Sequence, residues 1–273
     1  EIRKTPKAME QVLAGIYGLR NTADSLHEIY VDGEVTLWFS LEIVSFGGDI
    51  HFYIWTPKKH RNLVEALFYA HYQDVEMVEA ADYIDRVPAS FSELRGRGLE
   101  LYGTEIILAK DDAYPIRTYM DFQAIAEEEQ LDPISALLEI ISKIKREEVA
   151  LLQILIRPAS PTWQKQGLKL VEELRNAKPT KMKKVTTTME GSMAETFTMR
   201  TPGETDILKA VERNIGKPGF DTVIRHIYYA PQDIWDFNFG KRGIFSAFNQ
   251  YAALDLNYFR QNNAVRTIVY ATM

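Results

Sequence analysis

"VTLWFSLEIVSFGGDIHFYIW" occupies residues 35–55, and the way it alternates decides the fold. Val35, Leu37, Phe39, Leu41 and Ile43 alternate with Thr36, Trp38, Ser40 and Glu42. After Phe46-Gly47-Gly48-Asp49 the pattern resumes, with Ile50, Phe52 and Ile54 set against His51, Tyr53 and Trp55. Side chains two apart share one face of a strand, and a glycine pair supplies the backbone freedom of a tight turn. The stretch therefore predicts a β-hairpin with Leu37, Phe39, Phe52 and Ile54 toward a core. Trp38, Tyr53 and Trp55 share the opposite face, which a second domain or another protein would cover.

Working outward, Thr5-Pro6 pairs an N-cap residue with a first-turn proline, and Met9, Val12, Leu13, Ile16 and Tyr17 repeat at helical spacing up to Gly18. Beyond the hairpin, Thr56-Pro57 ends the strand, Leu63, Val64, Leu67 and Phe68 trace a helix, and Val75, Met77 and Val78 read as a short strand. With residues 1–3 as the stub of a first strand, the order is β-α-β-β-α-β, the split arrangement of a ferredoxin-like module over residues 1–88. Pro88, Ser90, Ser92, Gly96 and Gly98 give a linker composition, which places a boundary at 89–100.

The remaining residues, 101–273, predict a second module. Leu101–Leu108 reads as a strand and 115–122 as an extended piece, and Asp132-Pro133 opens a helix through Ile134, Leu137, Leu138 and Ile141. "VALLQILIRP" at 149–158 is a buried strand by its continuous apolar run, and 163–174 is an amphipathic helix. Residues 176–203 hold no steady period and read as a long mobile loop. A helix at 204–214, a strand at 222–229 and a helix at 244–251 complete the chain. The expected class is α+β, two α/β sandwich modules with mainly antiparallel sheets.

The 273 residues are 46% apolar, enough for a substantial core, and the net charge of −6 argues against a protein that wraps nucleic acid along most of its surface. The absence of cysteine excludes disulfides and thiolate chemistry and fits a reducing, cytoplasmic setting. No basic-then-apolar leader and no run long enough to span a bilayer is present, and the start at Glu1 reads as a soluble piece of a longer chain.

Reactive motifs are missing. Gly216-Lys217 is followed by Pro218 and Gly240-Lys241 by Arg242, so neither completes a phosphate-cradling P-loop, and Gly103-Thr104-Glu105 has the wrong continuation for a dinucleotide fingerprint. His27, His51, His60, His71 and His226 show no ligand spacing, so neither a metal nor another cofactor is expected. Asp82, Asp85, Asp111 and Asp112 lie nearest the strand ends but read as turn aspartates that bond their own backbone. Two basic stretches remain: "KPTKMKK", with Lys181, Lys183 and Lys184, as a contact for nucleic acid or an acidic partner, and "GKRG", with Lys241 and Arg242 ahead of a helix that could hold an anion.

The strings "RKTPKAMEQVLAGIYG", "FSLEIVSFGGDIHFYIWTPKKHRNLVEALFYAHYQDVEMVEAADYI", "YPIRTYMDF", "DPISALLEII" and "QILIRP" carry a resemblance. Over about residues 1–260 the chain resembles the N-terminal, non-ATPase region of conjugative-transfer or type IV secretion ATPase-like proteins of small-genome bacteria, upstream of a HerA/FtsK-like motor. The resemblance implies a cytoplasmic, non-catalytic module that couples a P-loop ATPase, in the same or a neighbouring chain, to a secretion apparatus at the inner face of the membrane. No Walker motif occurs here, so none of that ATPase chemistry passes to a residue of this chain. Three expectations stand: a docking module using Trp38, Tyr53 and Trp55; a single-stranded nucleic-acid binder using Lys181, Lys183 and Lys184; and a hydrolase with a pocket around Asp82, Asp111 or Glu105.

Overall fold

A computed structural model describes residues 6–20, 30, 37–123, 132–176, 181–188, 191–198 and 201–271, with the backbone alone for 123, 181–188 and 191–198. The architecture is α+β, built on a seven-stranded sheet in which every strand pairing among the described residues is antiparallel.

Helix α1 (Lys7–Gly18) buries Val12 and Ile16 at helical spacing. The hairpin follows as β1 (Phe39–Phe46) and β2 (Asp49–Trp55), joined by Gly47 and Gly48 at φ values of 62° and 93°. Positive φ at both central residues is what the twist of a two-residue hairpin demands, and glycine alone meets it without strain. Helix α2 (Arg61–His71) buries Val64 beside α1. Next come α3 (Phe91–Gly96), capped by the Ser90 hydroxyl accepting from the Glu93 amide, then β3 (Leu99–Leu108) and α4 (Tyr119–Gln123).

Helix α5 (Pro133–Ser142) starts at Asp132, whose carboxylate accepts from the Ile134 amide, and leads into β4 (Val149–Pro158). Helices α6 (Thr162–Asn176) and α7 (Pro202–Ile215) flank a separate hairpin of β5 (Lys181–Thr188) and β6 (Gly191–Thr198). They pack together through Val171, Val211 and Ile215. A reciprocal capping box between Thr201 and Glu204 opens α7. Strand β7 (Phe220–Pro231), a helical run through Phe239–Gly243, Ile244–Ser246 and Ala247–Tyr251, and short strands β8 (Phe259–Gln261) and β9 (Thr267–Val269) close the fold.

The strand order is β2-β1-β4-β7-β3-β8, with β9 beside β8 on the same flank of β3. One sheet face is packed along most of its strands. Residues from α1 and α2 cover Phe39 and Ile156, while α5 and the helical run after β7 cover Ile43, Ala150, Leu152 and Tyr228. On the other face, Leu94 of α3 and the turn at Tyr83–Arg86 cover only the end holding Val44, Leu101, Leu151 and Tyr229.

Several expectations change. The boundary at 89–100 does not separate two sheets, because β1 pairs along its whole length with β4. A largely apolar strand such as β4 needs a neighbour on each side, and its sequence does not say that one of them lies about a hundred residues upstream. No second ferredoxin-like module is set apart at 101–273, and the first is incomplete. Its stub at 1–3 lies outside the described residues, and 75–78 forms no strand, with Val78 74% exposed. Tyr69 instead ties that segment to α2 through bonds between its hydroxyl and the Met77 backbone. The linker holds α3, residues 119–123 are helical rather than extended, and much of 176–203 is the β5–β6 hairpin rather than an irregular loop.

Candidate functional site

Among the described residues, the second sheet face carries no helix at the open end of the hairpin. Ser40 pairs with Trp55, which places the indole of Trp55 beside the chain entering β1, and there Trp38 stacks on it with ring centroids 3.9 Å apart and planes within 9°. Both indoles stay partly open, Trp38 at 37% and Trp55 at 42% exposure. Tyr53 lies on the same face but is half-buried: its ring leans against Tyr83 with centroids 4.9 Å apart and planes tilted by 34°. The structure thus unites Trp38 and Trp55 and covers Tyr53.

Between these aromatics sits a group that the sequence left unassigned. Glu42 is buried, and its carboxylate accepts from the Ser40 hydroxyl at 2.5 Å, the Gln153 amide at 2.9 Å and the Tyr83 hydroxyl at 2.6 Å. Burial, and then the hydrogen bond to Glu42, raise the Tyr83 hydroxyl well above its ordinary range. A carboxylate held by three donors is satisfied where it stands, so Glu42 fastens the Tyr83–Arg86 turn onto β1. The signal in the sequence was a single acid within an otherwise uncharged strand.

The margin beside this face is β2. In a two-residue hairpin Phe46 and Asp49 close the ladder, so the backbone N–H and C=O groups of Ile50, Phe52 and Ile54 point away from β1. Among the described residues no strand pairs with that outer side. Phe52, expected in the core, is 62% exposed. The reason is its place at the margin: Ile50 belongs to the cluster under α5 and Ile54 to the cluster under α1 and α2, and Phe52 falls between the two. The opposite flank of the sheet differs, since β8 and β9 are three residues each, the short form that discourages pairing with another chain. From Phe52 to Trp55, β2 carries no charge, no proline and no bulge to protect it.

The other expected site residues are dispersed. Lys181, Lys183 and Lys184 lie on β5 opposite Thr198, Thr196 and Glu195, with their side chains outside the described residues. Lys241 and Arg242 stand just before the short helix Ile244–Ser246, but the chain is already helical there, so they do not mark a free helix start. They lie inside the run after β7, whose first amides are taken by the Asp236 carboxylate, which accepts from Asn238 at 2.8 Å and Phe239 at 3.1 Å. Asp82 and Asp111 accept from the amides of Ile84 and Ala113 in their own turns, and Glu105 faces Arg225 at 3.7 Å. These carboxylates do not converge on one pocket. Asp112 has its carboxyl raised by partial burial and by Asp111 and Asp221, but its side chain remains at the surface. No helix among the described residues is long and apolar enough to cross a membrane.

A family model described as a domain of unknown function (DUF8128) matches residues 3–253. No curated protein and no solved structure matches the chain.

Proposed function

We propose that this chain, which belongs to the DUF8128 family, is a non-catalytic docking module whose β2 margin receives an extended segment of a partner protein. The observation that supports it is the uncharged stretch Phe52–Trp55, unpaired on its outer side among the described residues, with exposed Phe52 on one side of the sheet and the Trp38–Trp55 stack on the other. An added strand would take main-chain hydrogen bonds from Ile50, Phe52 and Ile54, and its alternate side chains would meet aromatic surface on both faces. The matching segment is therefore extended, uncharged and apolar at alternate positions.

The resemblance of residues 1–260 supplies the context: the partner is a P-loop ATPase motor, in the same or a neighbouring chain, and the module joins it to a secretion or conjugative DNA-transfer apparatus at the inner face of the membrane. The tight coordination of Glu42 and the dispersal of the acidic candidates support a role without chemistry of its own.

A photoreactive phenylalanine at position 52, compared with one at Leu168 on the exposed side of α6, tests this in the host cell. The expected result is an adduct from position 52 that contains a P-loop ATPase and is absent from position 168. Adducts of the chain with itself would reassign the margin to a second copy, and equal yields at both positions would remove the docking role.

A further inference from the structure

At the opposite flank of the sheet, a groove of about 770 Å³ opens between β8 and the helical run after β7. Its lining includes Lys241, Arg260 and Arg266 together with Phe245, Tyr258 and Asn249, and no carboxylate. Elsewhere Arg61, Arg97, Arg157, Arg175 and Arg225 each face an acid, while others such as Arg95, Arg146 and Arg213 form no ion pair among the described residues, so what marks this groove is the gathering of three cations with no acid beside them. Lys241, Arg260 and Arg266 form no ion pair among the described residues, in a chain whose net charge is −6. Three unpaired cations on one groove repel one another and raise the local positive potential, and a bound anion relieves both effects.

The walls are held in place. Arg260 sits on β8, paired with Ile107 of β3, and Arg266 lies in the turn between β8 and β9, both anchored on β3. Gln261 bridges the two sides: its amide donates to the Lys241 carbonyl, and its oxygen accepts from the Tyr102 hydroxyl at 3.3 Å. Tyr258 is fixed through its backbone, its carbonyl accepting from Ala109 at 2.9 Å and its amide donating to the buried Asn257 at 3.0 Å. Its ring is left 40% exposed beside the cations. Fixed cations next to an open aromatic ring are the two elements that hold a phosphate and the base attached to it.

We infer that this groove binds a nucleotide, free or within a single strand, with the phosphate among Lys241, Arg260 and Arg266 and the base on Tyr258. This site is independent of the β2 margin and lies on the other flank of the sheet. It also differs from the lysines of β5, which the sequence favoured for nucleic acid.

Fluorescence anisotropy of a labelled oligothymidylate at low salt tests it, with thymidine monophosphate and inorganic phosphate as competitors. Wild-type protein should bind with a steep salt dependence, and Arg260→Ala combined with Arg266→Ala should weaken binding at least tenfold and flatten that dependence, with an unchanged near-ultraviolet circular dichroism spectrum showing that the fold is retained. Tyr258→Leu should cost roughly five- to a hundredfold, the range for loss of one stacked base. Competition by the mononucleotide equal to that by unlabelled strand assigns the groove to free nucleotide, and competition by the strand alone assigns it to nucleic acid. Absence of binding, wild-type affinity in the double arginine variant, or competition by inorganic phosphate with no effect of Tyr258→Leu would each overturn the inference.

Discussion

Trp38 lies flat on Trp55, ring centroids 3.9 Å apart, and clasps the open end of the hairpin whose other end turns at Gly47 and Gly48. The two residues are joined through seventeen positions of chain, yet their rings meet because the β1–β2 register sets Ser40 opposite Trp55. Stacked aromatic pairs add about 0.5–1.5 kcal/mol beyond the area they bury. Trp55→Ala should therefore lower stability by about 1 kcal/mol or somewhat more and abolish the exciton signal of the coupled indoles in the far-ultraviolet circular dichroism spectrum. An unchanged signal would show that the rings are not stacked in solution.

The turn at the other end is less forgiving. A Cβ at Gly48 would stand 2.5 Å from the Ser142 carbonyl oxygen, and its φ of 93° lies in the region that only glycine adopts freely. Gly48→Ala should cost at least about 2 kcal/mol through strain and displacement of the C-terminal end of α5. Gly18, at the end of α1 with nothing within 4 Å, is the contrasting position. Gly18→Ala should leave stability unchanged or raise it by up to about 1 kcal/mol, and urea unfolding of both variants gives the comparison.

Glu42 joins three elements. Replacement by Ala strands the Ser40 hydroxyl, the Gln153 amide and the Tyr83 hydroxyl, and each buried polar group left without a partner costs about 1–3 kcal/mol. Tyr83→Phe removes one donor and leaves Glu42 with two, so it should cost less. In a double-variant cycle the two losses should not add, because both break the Tyr83–Glu42 bond. Additive losses would show that this bond does not form.

His226 is fully buried on β7. Its Nε2 donates to the Gly240 carbonyl at 3.1 Å, and its Nδ1 has no partner among the described residues. Burial lowers its pKa from 6.5 to about 4. The unfolded chain therefore binds the proton more readily between these values, and stability is complete above the upper one and declines as pH falls toward the lower, by at most about 1.4 kcal/mol per pH unit. His226→Gln should remove this part of the acid slope. Urea unfolding near neutrality and in mild acid checks it, and identical slopes in the two proteins would refute the assignment.

Much of the fold was legible in local pattern. Period-two alternation and paired glycines located β1 and β2, Asp132-Pro133 announced the start of α5, and the apolar run at 149–158 marked β4, because each depends on neighbours within a few residues. The same reasoning misled at 75–78, where an apolar run found no strand to pair with, and at Phe52, where alternation indicated a core face but the margin of the sheet left the ring between two helix clusters.

The sequence by itself determined the class of the protein, its longer helices and its principal strands, since these rest on side-chain period and on residue type. The tertiary structure alone decided that β1 lies against β4 within one sheet, that Glu42 collects donors from three segments, that the outer side of β2 pairs with no strand among the described residues, and that Lys241, Arg260 and Arg266 line one groove. Hydrophobic period tells a strand which side to bury, and the choice of neighbour is settled by packing between segments far apart in the chain.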